Sequence, residues 1–285
     1  DASLGEDSTH PDVGNVVLGD NGVIDWIIND GDASDIDLIS TTNPTLGGSD
    51  DIRTGSGNDI ILGGTADDTI RAGAGNDLVF GDHGEAKGSV DPSALPLEAS
   101  RPFAFTSIHT QESDLGGGDT IWGGDGEDIL IGGQGVDTIY GEAGDDDIIG
   151  GHNIENGFDS GDFLDGGAGS DAIVGDNASV LRTENLRDPR FRTLSGTTLY
   201  DANGKVLVSL SANQADPQGT SGREITILNH SAATSTDYFG ADYMAGGAGN
   251  DLIFGQLGDD VIQGDGSMDI SAVDAGRTPG SALSV

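Results

Sequence analysis

A period of nine residues runs through this chain, and a repeat so short leaves few folds open to it. From Thr54 to Phe80 the sequence reads TGSGNDIIL, GGTADDTIR, AGAGNDLVF, with Asp59, Asp68 and Asp77 at the same place in each unit. Nine residues are too few for a domain, and the repetition is too regular for a linker, so a stacked repeat architecture is indicated. The unit is Gly-Gly-x-Gly-x-Asp-x-apolar-x. Its first half, rich in Gly and Asn, suits a tight turn because these residues tolerate positive φ. Its second half is β-prone, with Ile61, Ile70 and Val79 at position eight, so a short strand follows each turn.

A strand of about three residues cannot stand alone. If each unit turns the chain through half a coil, two units complete a turn, and the turns stack as parallel sheets with position eight pointing inward. Asp50 then lies above Asp68, and Asp59 above Asp77. Bare carboxylates in such a file repel one another. A hard cation between neighbouring loops resolves the repulsion, and Ca²⁺ accepts a flexible shell of carboxylate and carbonyl oxygens.

Thirteen Asp residues fall in register at position six: Asp50, Asp59, Asp68, Asp77, Asp119, Asp128, Asp137, Asp146, Asp162, Asp171, Asp242, Asp251 and Asp260. The spacing divides the chain into three short rolls, 45–84, 114–178 and 237–266, the second with residues 150–156 looped out. Residues 1–22 read as the tail of a preceding roll, 23–44 as a β-hairpin, 85–113 as an irregular excursion, 179–236 as a strand-rich excursion and 267–285 as a mobile tail. A closing Gly-Asp turn recurs at Asp20, Asp82, Asp176 and Asp265, and these carboxylates are expected to cap the last ion site or to serve as turn residues. The expected fold is all-β, a parallel β-roll (β-solenoid) of Gly/Asp-rich nonapeptides interrupted by hairpin excursions.

The motif resembles the RTX, or haemolysin-type calcium-binding, repeat. That resemblance implies several Ca²⁺ ions bound between turns, with the position-six carboxylates bridging neighbouring coils, and with Asp82 and Asp176 added as closing ligands. Turn carbonyls would come from Gly55, Gly57, Gly64, Gly73, Gly75, Gly124, Gly126, Gly133, Gly135, Gly144, Gly167, Gly169, Gly247 and Gly249. It also implies export by a bacterial type I route. Departures from the motif are Ala66, Ser160 and the unit from Asp114 to Trp122, whose sites are expected to be weaker.

The chain carries 50 Asp+Glu against 11 Lys+Arg, a formal charge of −39, which disfavours nucleic acid and anionic membranes as partners and strains any compact cation-free state. Without a cation, disorder is expected. There is no Cys, so bound metal is the natural staple for an extracellular chain of this size. The N-terminal DASLGEDSTH has neither an initiator Met nor a signal-peptide core, and the chain reads as an internal piece of something larger. Position-seven residues are expected to face outward, and their mixed character does not suit ice binding. No nucleophile elbow, zinc helix or reactive Cys is present, and the five His residues are dispersed, with His83 and His152 read as turn residues, so no enzyme is expected. Arg182, Arg187, Arg190 and Arg192 read as neutralising the chain's own acidic surface, with a contact patch for an acidic partner as the alternative. The functional expectation is a calcium-binding structural segment of a secreted or cell-surface protein, of adhesin or surface-layer type. The alternative is an accessory folding and export domain of a secreted enzyme. Other copies of the module or a surface ligand are the partners such a role would use.

Overall fold

In the computed structural model, residues 14–28, 36–88, 105–182 and 223–268 are described. Two parallel sheets face each other. The first contains β1 (Val16–Leu18), β5 (Ile60–Leu62), β7 (Leu78–Phe80), β11 (Ile129–Ile131), β13 (Asp147–Ile149), β16 (Ala172–Val174) and β20 (Leu252–Phe254) in that spatial order. The second runs through β4 (Asp51–Ser56), β6 (Thr69–Ala74), β10 (Thr120–Asp125), β12 (Thr138–Ala143), β14 (Phe163–Asp165) with β15 (Ala168–Gly169), β19 (Tyr243–Gly249) and β21 (Val261–Asp265). The position-eight side chains meet between the sheets. Ile61, Ile70, Val79, Ile121, Leu130, Ile139, Ile148, Leu164, Ile173 and Met244 are all fully buried in one cluster.

The structure corrects the division into three rolls. Ile70 pairs with Ile121 and Val79 with Leu130, joining the first expected roll to the second. Leu164 with Met244 and Ile173 with Ile253 join the second to the third. Residues 16–18 belong to the same solenoid, with Val17 paired to Ile61, so they are its first strand and not the tail of another roll. The excursions interrupt the sequence without interrupting the stack. Each departs after a strand of the first sheet and returns at a strand of the second: β1 to β4, β7 to β10, β13 to β14 and β16 to β19. The opposite edge, where the second sheet turns into the first, has only tight turns.

Two excursions build a covering layer. β2 (Gly22–Asp25), β3 (Leu38–Thr41), β8 (Gly84–Gly88) and β9 (Phe105–Thr110) form one antiparallel four-stranded sheet. Beneath it lie Ile60, Leu62, Leu78, Phe80, Ile129 and Ile131, from positions seven and nine of the first sheet, packed with Ile36, Ile39 and Ala86. Position seven is therefore outward-facing only on the second sheet. On the first, Ile60, Leu78, Ile129 and Asp147 are buried. The apolar triplets IIL, LVF and ILI against DIR, TIR and TIW carry this distinction in the sequence. On the open face of the second sheet, Trp122 stacks on Tyr140 at 5.6 Å, and the Arg71 guanidinium lies 4.2 Å from the Trp122 ring centroid.

A further antiparallel pair, β17 (Ala178–Arg182) with β18 (Arg223–Ile227), begins and ends the long excursion. The strands read at TTLYD and KVLVSL, together with Arg187, Arg190 and Arg192, lie outside the described residues, as do residues 269–285. The buried cation at this excursion is Arg223. Its guanidinium donates to the Asp147 carboxylate and to the carbonyls of Ser170 (2.9 Å) and Asp145 (2.9 Å), with both charged side chains almost wholly buried. Arg223→Ala would strand a buried carboxylate, and the expected loss is about 3–5 kcal/mol in the calcium-loaded protein. Urea unfolding checks this, and adding Asp147→Leu should recover most of the loss.

Candidate metal centre

The Asp residues form two files, one along each edge. In the first, each Asp N–H donates to Oδ1 of the Asp one coil on. Asp50 reaches Asp68 at 2.7 Å, Asp68 reaches Asp119 at 2.7 Å and Asp119 reaches Asp137 at 2.7 Å. Asp137 continues to Asp162 at 2.8 Å, Asp162 to Asp242 at 2.9 Å and Asp242 to Asp260 at 3.1 Å. The second file starts at Asn15, whose N–H donates to Asp59 at 2.6 Å, and continues through Asp77, Asp128, Asp146 and Asp171 to Asp251. All thirteen position-six carboxylates therefore lie in the files.

One oxygen of each carboxylate after Asp50, which starts the first file, is thus used to cap the neighbouring coil. The other has a different fate. Oδ2 of Asp50, Asp68, Asp119, Asp137, Asp162, Asp171 and Asp242 is buried with no hydrogen-bond partner among the described residues. A buried, unsatisfied carboxylate oxygen is costly, so these atoms call for a ligand. Each faces a second oxygen across the opening glycine of a unit. A Cβ on Gly132 would lie 2.3 Å from Asp137 Oδ2 and 2.3 Å from the Gly150 carbonyl. On Gly81 it would meet Asp119 Oδ2 at 2.2 Å and the Gly132 carbonyl at 2.5 Å, and on Gly150 the Asp162 and Gly175 oxygens at 2.3 and 2.1 Å. These first-position glycines, with Gly63, Gly166 and Gly175, escaped the sequence reading, which favoured positions two and four although the motif itself begins with Gly. No group of three or more acidic, His or Cys side chains forms a cage among the described residues, so the donor set combines carboxylate with backbone oxygen. A hard, flexible all-oxygen set of this kind suits Ca²⁺.

The glycines expected at positions two and four occupy the turns. All of them except Gly55 have φ between +90° and +157°. Gly144 shows why no side chain fits, since a Cβ there would lie 1.5 Å from the Gly126 carbonyl oxygen. Ala66 (φ 74°), Glu142 (φ 73°) and Gln256 (φ 62°) hold the same left-handed conformation without being glycine, a strain that the surrounding stack imposes.

The closing Asp residues act as clamps on the edge the excursions use. Asp20 accepts the N–H groups of Gly48 and Thr65, Asp82 those of Gly117 and Gln134, and Asp176 those of Gly240 and Leu257. Each clamp ties the returning chain to the adjacent coil. The oxygens of Asp82 and Asp176 each keep a second lone pair.

Burial sets the electrostatics. Desolvation pushes the carboxyls up, Asp68 and Asp171 to about 7, Asp137 to about 7, Asp242 to about 8 and Asp119 to about 9, with neighbouring Asp charges adding to the rise at Asp68, Asp119, Asp171 and Asp242. Asp162 is likewise held well above the usual carboxylate range. The metal-free files therefore favour protons at neutral pH, and a divalent cation supplies the same neutralisation without them. His83 and His152 are buried, and desolvation lowers both, His152 to about 4.

The fold and its oxygen files define a calcium-binding parallel β-roll. Comparison with protein families gives a match to the RTX calcium-binding nonapeptide repeat (4 copies) over residues 45–84, 122–151 and 238–267. Those three stretches are similar to RTX repeats, and repeats of this kind imply the binding of several Ca²⁺ ions. Comparison with curated proteins and with solved structures gives no match. Among the described residues no helix is long and apolar enough to cross a membrane.

Proposed function

We propose that this chain is a non-enzymatic structural segment of a secreted or cell-surface protein, extended in a low-calcium compartment and folded by external calcium after export. The single observation that carries the reading is the row of buried, partnerless Asp Oδ2 atoms, which a packed state must neutralise. Affinities of extracellular calcium modules, about 10⁻⁴ to 10⁻³ M, match such a switch. An adhesin or surface-layer role follows from the excursions, which escape the repeat's constraint and carry exposed apolar side chains such as Trp26, Ile27 and Ile28. The test is circular dichroism with tryptophan fluorescence while calcium is added to the chelated chain. A cooperative gain of β signal is expected, with Trp122 reporting from the outer face of the second sheet and magnesium giving little response. A full β spectrum in protein shown by metal analysis to be ion-free would overturn the reading.

A further inference from the structure

Asp159 is one of the buried carboxylates that stand outside both files. It lies in the loop between β13 and β14 and is 8% exposed. Its Oδ1 accepts the N–H of Ser160 at 2.8 Å, and its Oδ2 is sealed from solvent with no hydrogen-bond donor among the described residues. Across from it is a second oxygen. A Cβ on Gly151 would lie 2.9 Å from Asp159 Oδ2 and 2.9 Å from Asn177 Oδ1, so both point into the space that this glycine leaves open. The Asn177 amide is fixed with its oxygen inward, because Nδ2 donates to the carbonyls of Gly157 (2.8 Å) and Tyr238 (3.2 Å) while Oδ1 accepts the N–H of His152 (2.7 Å). The Asp159 carboxylate also faces that of Asp176, its strongest charged neighbour.

Both oxygens that meet at this space, Asp159 Oδ2 and Asn177 Oδ1, are acceptors. The buried cation Arg223 is committed to Asp147. Three segments meet here. Asp159 belongs to the inserted loop, Asp176 and Asn177 to the turn that opens the long excursion, and the Asp159 N–H donates to the Asp237 carbonyl where that excursion returns (3.0 Å). Phe158, the residue before Asp159, packs edge-on against Tyr238 at 5.4 Å. Two carboxylates and an amide oxygen in a dry space form a hard-cation donor set.

We propose that Asp159, Asp176 and Asn177 hold an additional Ca²⁺, outside the nonapeptide repeat, that ties the inserted loop to the root of the long excursion. The site requires no repeat unit. It deepens the calcium-dependent reading above, and its test separates the two.

The experiment counts bound calcium by equilibrium dialysis on the full chain, comparing wild type with Asp159→Asn, Asp159→Ser and the repeat-file control Asp137→Asn. Asn at 159 keeps an acceptor for the Ser160 N–H, so the loop's own hydrogen bond survives. Asp159→Asn and Asp159→Ser should each bind one ion fewer per chain than wild type, with the roll's β spectrum retained. Hydrogen exchange over residues 150–161 should lose its calcium-dependent protection in both. A wild-type ion count in these variants, with protection intact, overturns the site and indicates a proton shared between Asp159 and Asp176. If Asp137→Asn lowers the count while the Asp159 variants do not, the repeat sites stand and the additional one falls. An ion-free wild type overturns both.

Discussion

Acidifying the calcium-free chain from pH 9 to pH 5 should build β structure, the reverse of ordinary acid denaturation. The folded-state carboxyls of Asp68, Asp137, Asp171, Asp242 and Asp119 are raised to between about 7 and about 9 from an ordinary 3.8. Over that interval the folded state binds more protons than the unfolded one, so stability falls as pH rises. The penalty is absent below about pH 4 and complete only above the folded values. Relief of the −39 formal charge acts in the same direction. Calcium inverts the dependence, since ions and protons compete for the same oxygens, and the loaded protein should lose ions and structure on acidification. Far-ultraviolet dichroism across this range, in chelator and in calcium, reads both limbs. A chelated spectrum indifferent to pH would show that the files are not what opposes the metal-free fold.

Asp137→Asn should have effects of opposite sign in the two states. In chelator at pH 8 it removes a fully buried charge while keeping Oδ1 as acceptor for the Asp119 N–H, 2.7 Å away. The raised carboxyl corresponds to a gain on the order of 4 kcal/mol for the metal-free roll. In calcium the same change removes an anionic ligand from the middle of the file, so the calcium midpoint should rise and cooperativity fall. Asp137→Ala should be worse in both states, because it also leaves the Asp119 N–H buried without an acceptor, at a further cost of about 1–3 kcal/mol. Urea midpoints of the three proteins in chelator and in calcium settle the signs. A variant destabilised equally in both would assign Asp137 to hydrogen bonding alone.

The period of nine made much of the fold legible. It located the Asp files and the position-eight core because both depend on spacing within one unit. It could not show the continuity of the roll. Asp68 meets Asp119 across 51 residues and Asp162 meets Asp242 across 80, and a local repeat contains no information about which unit lies above which after an excursion. The buried outer face of the first sheet was written in IIL, LVF and ILI, but its meaning depended on a cover supplied by β2, β3, β8 and β9. Asp147, a charge among apolar triplets, was the one hint of a buried partner, and nothing in the sequence singled out Arg223, 76 residues away.

Because every excursion leaves and returns on the same edge, residues added there do not lengthen the solenoid. Its height is set by the number of half-coils alone. Seven levels at about 4.8 Å per step rise roughly 30 Å, whatever lies between β16 and β19. The molecule behaves as a ruler with one notched side: insertions change what protrudes from that flank, while the tight-turn edge and the pitch of the ion files stay constant.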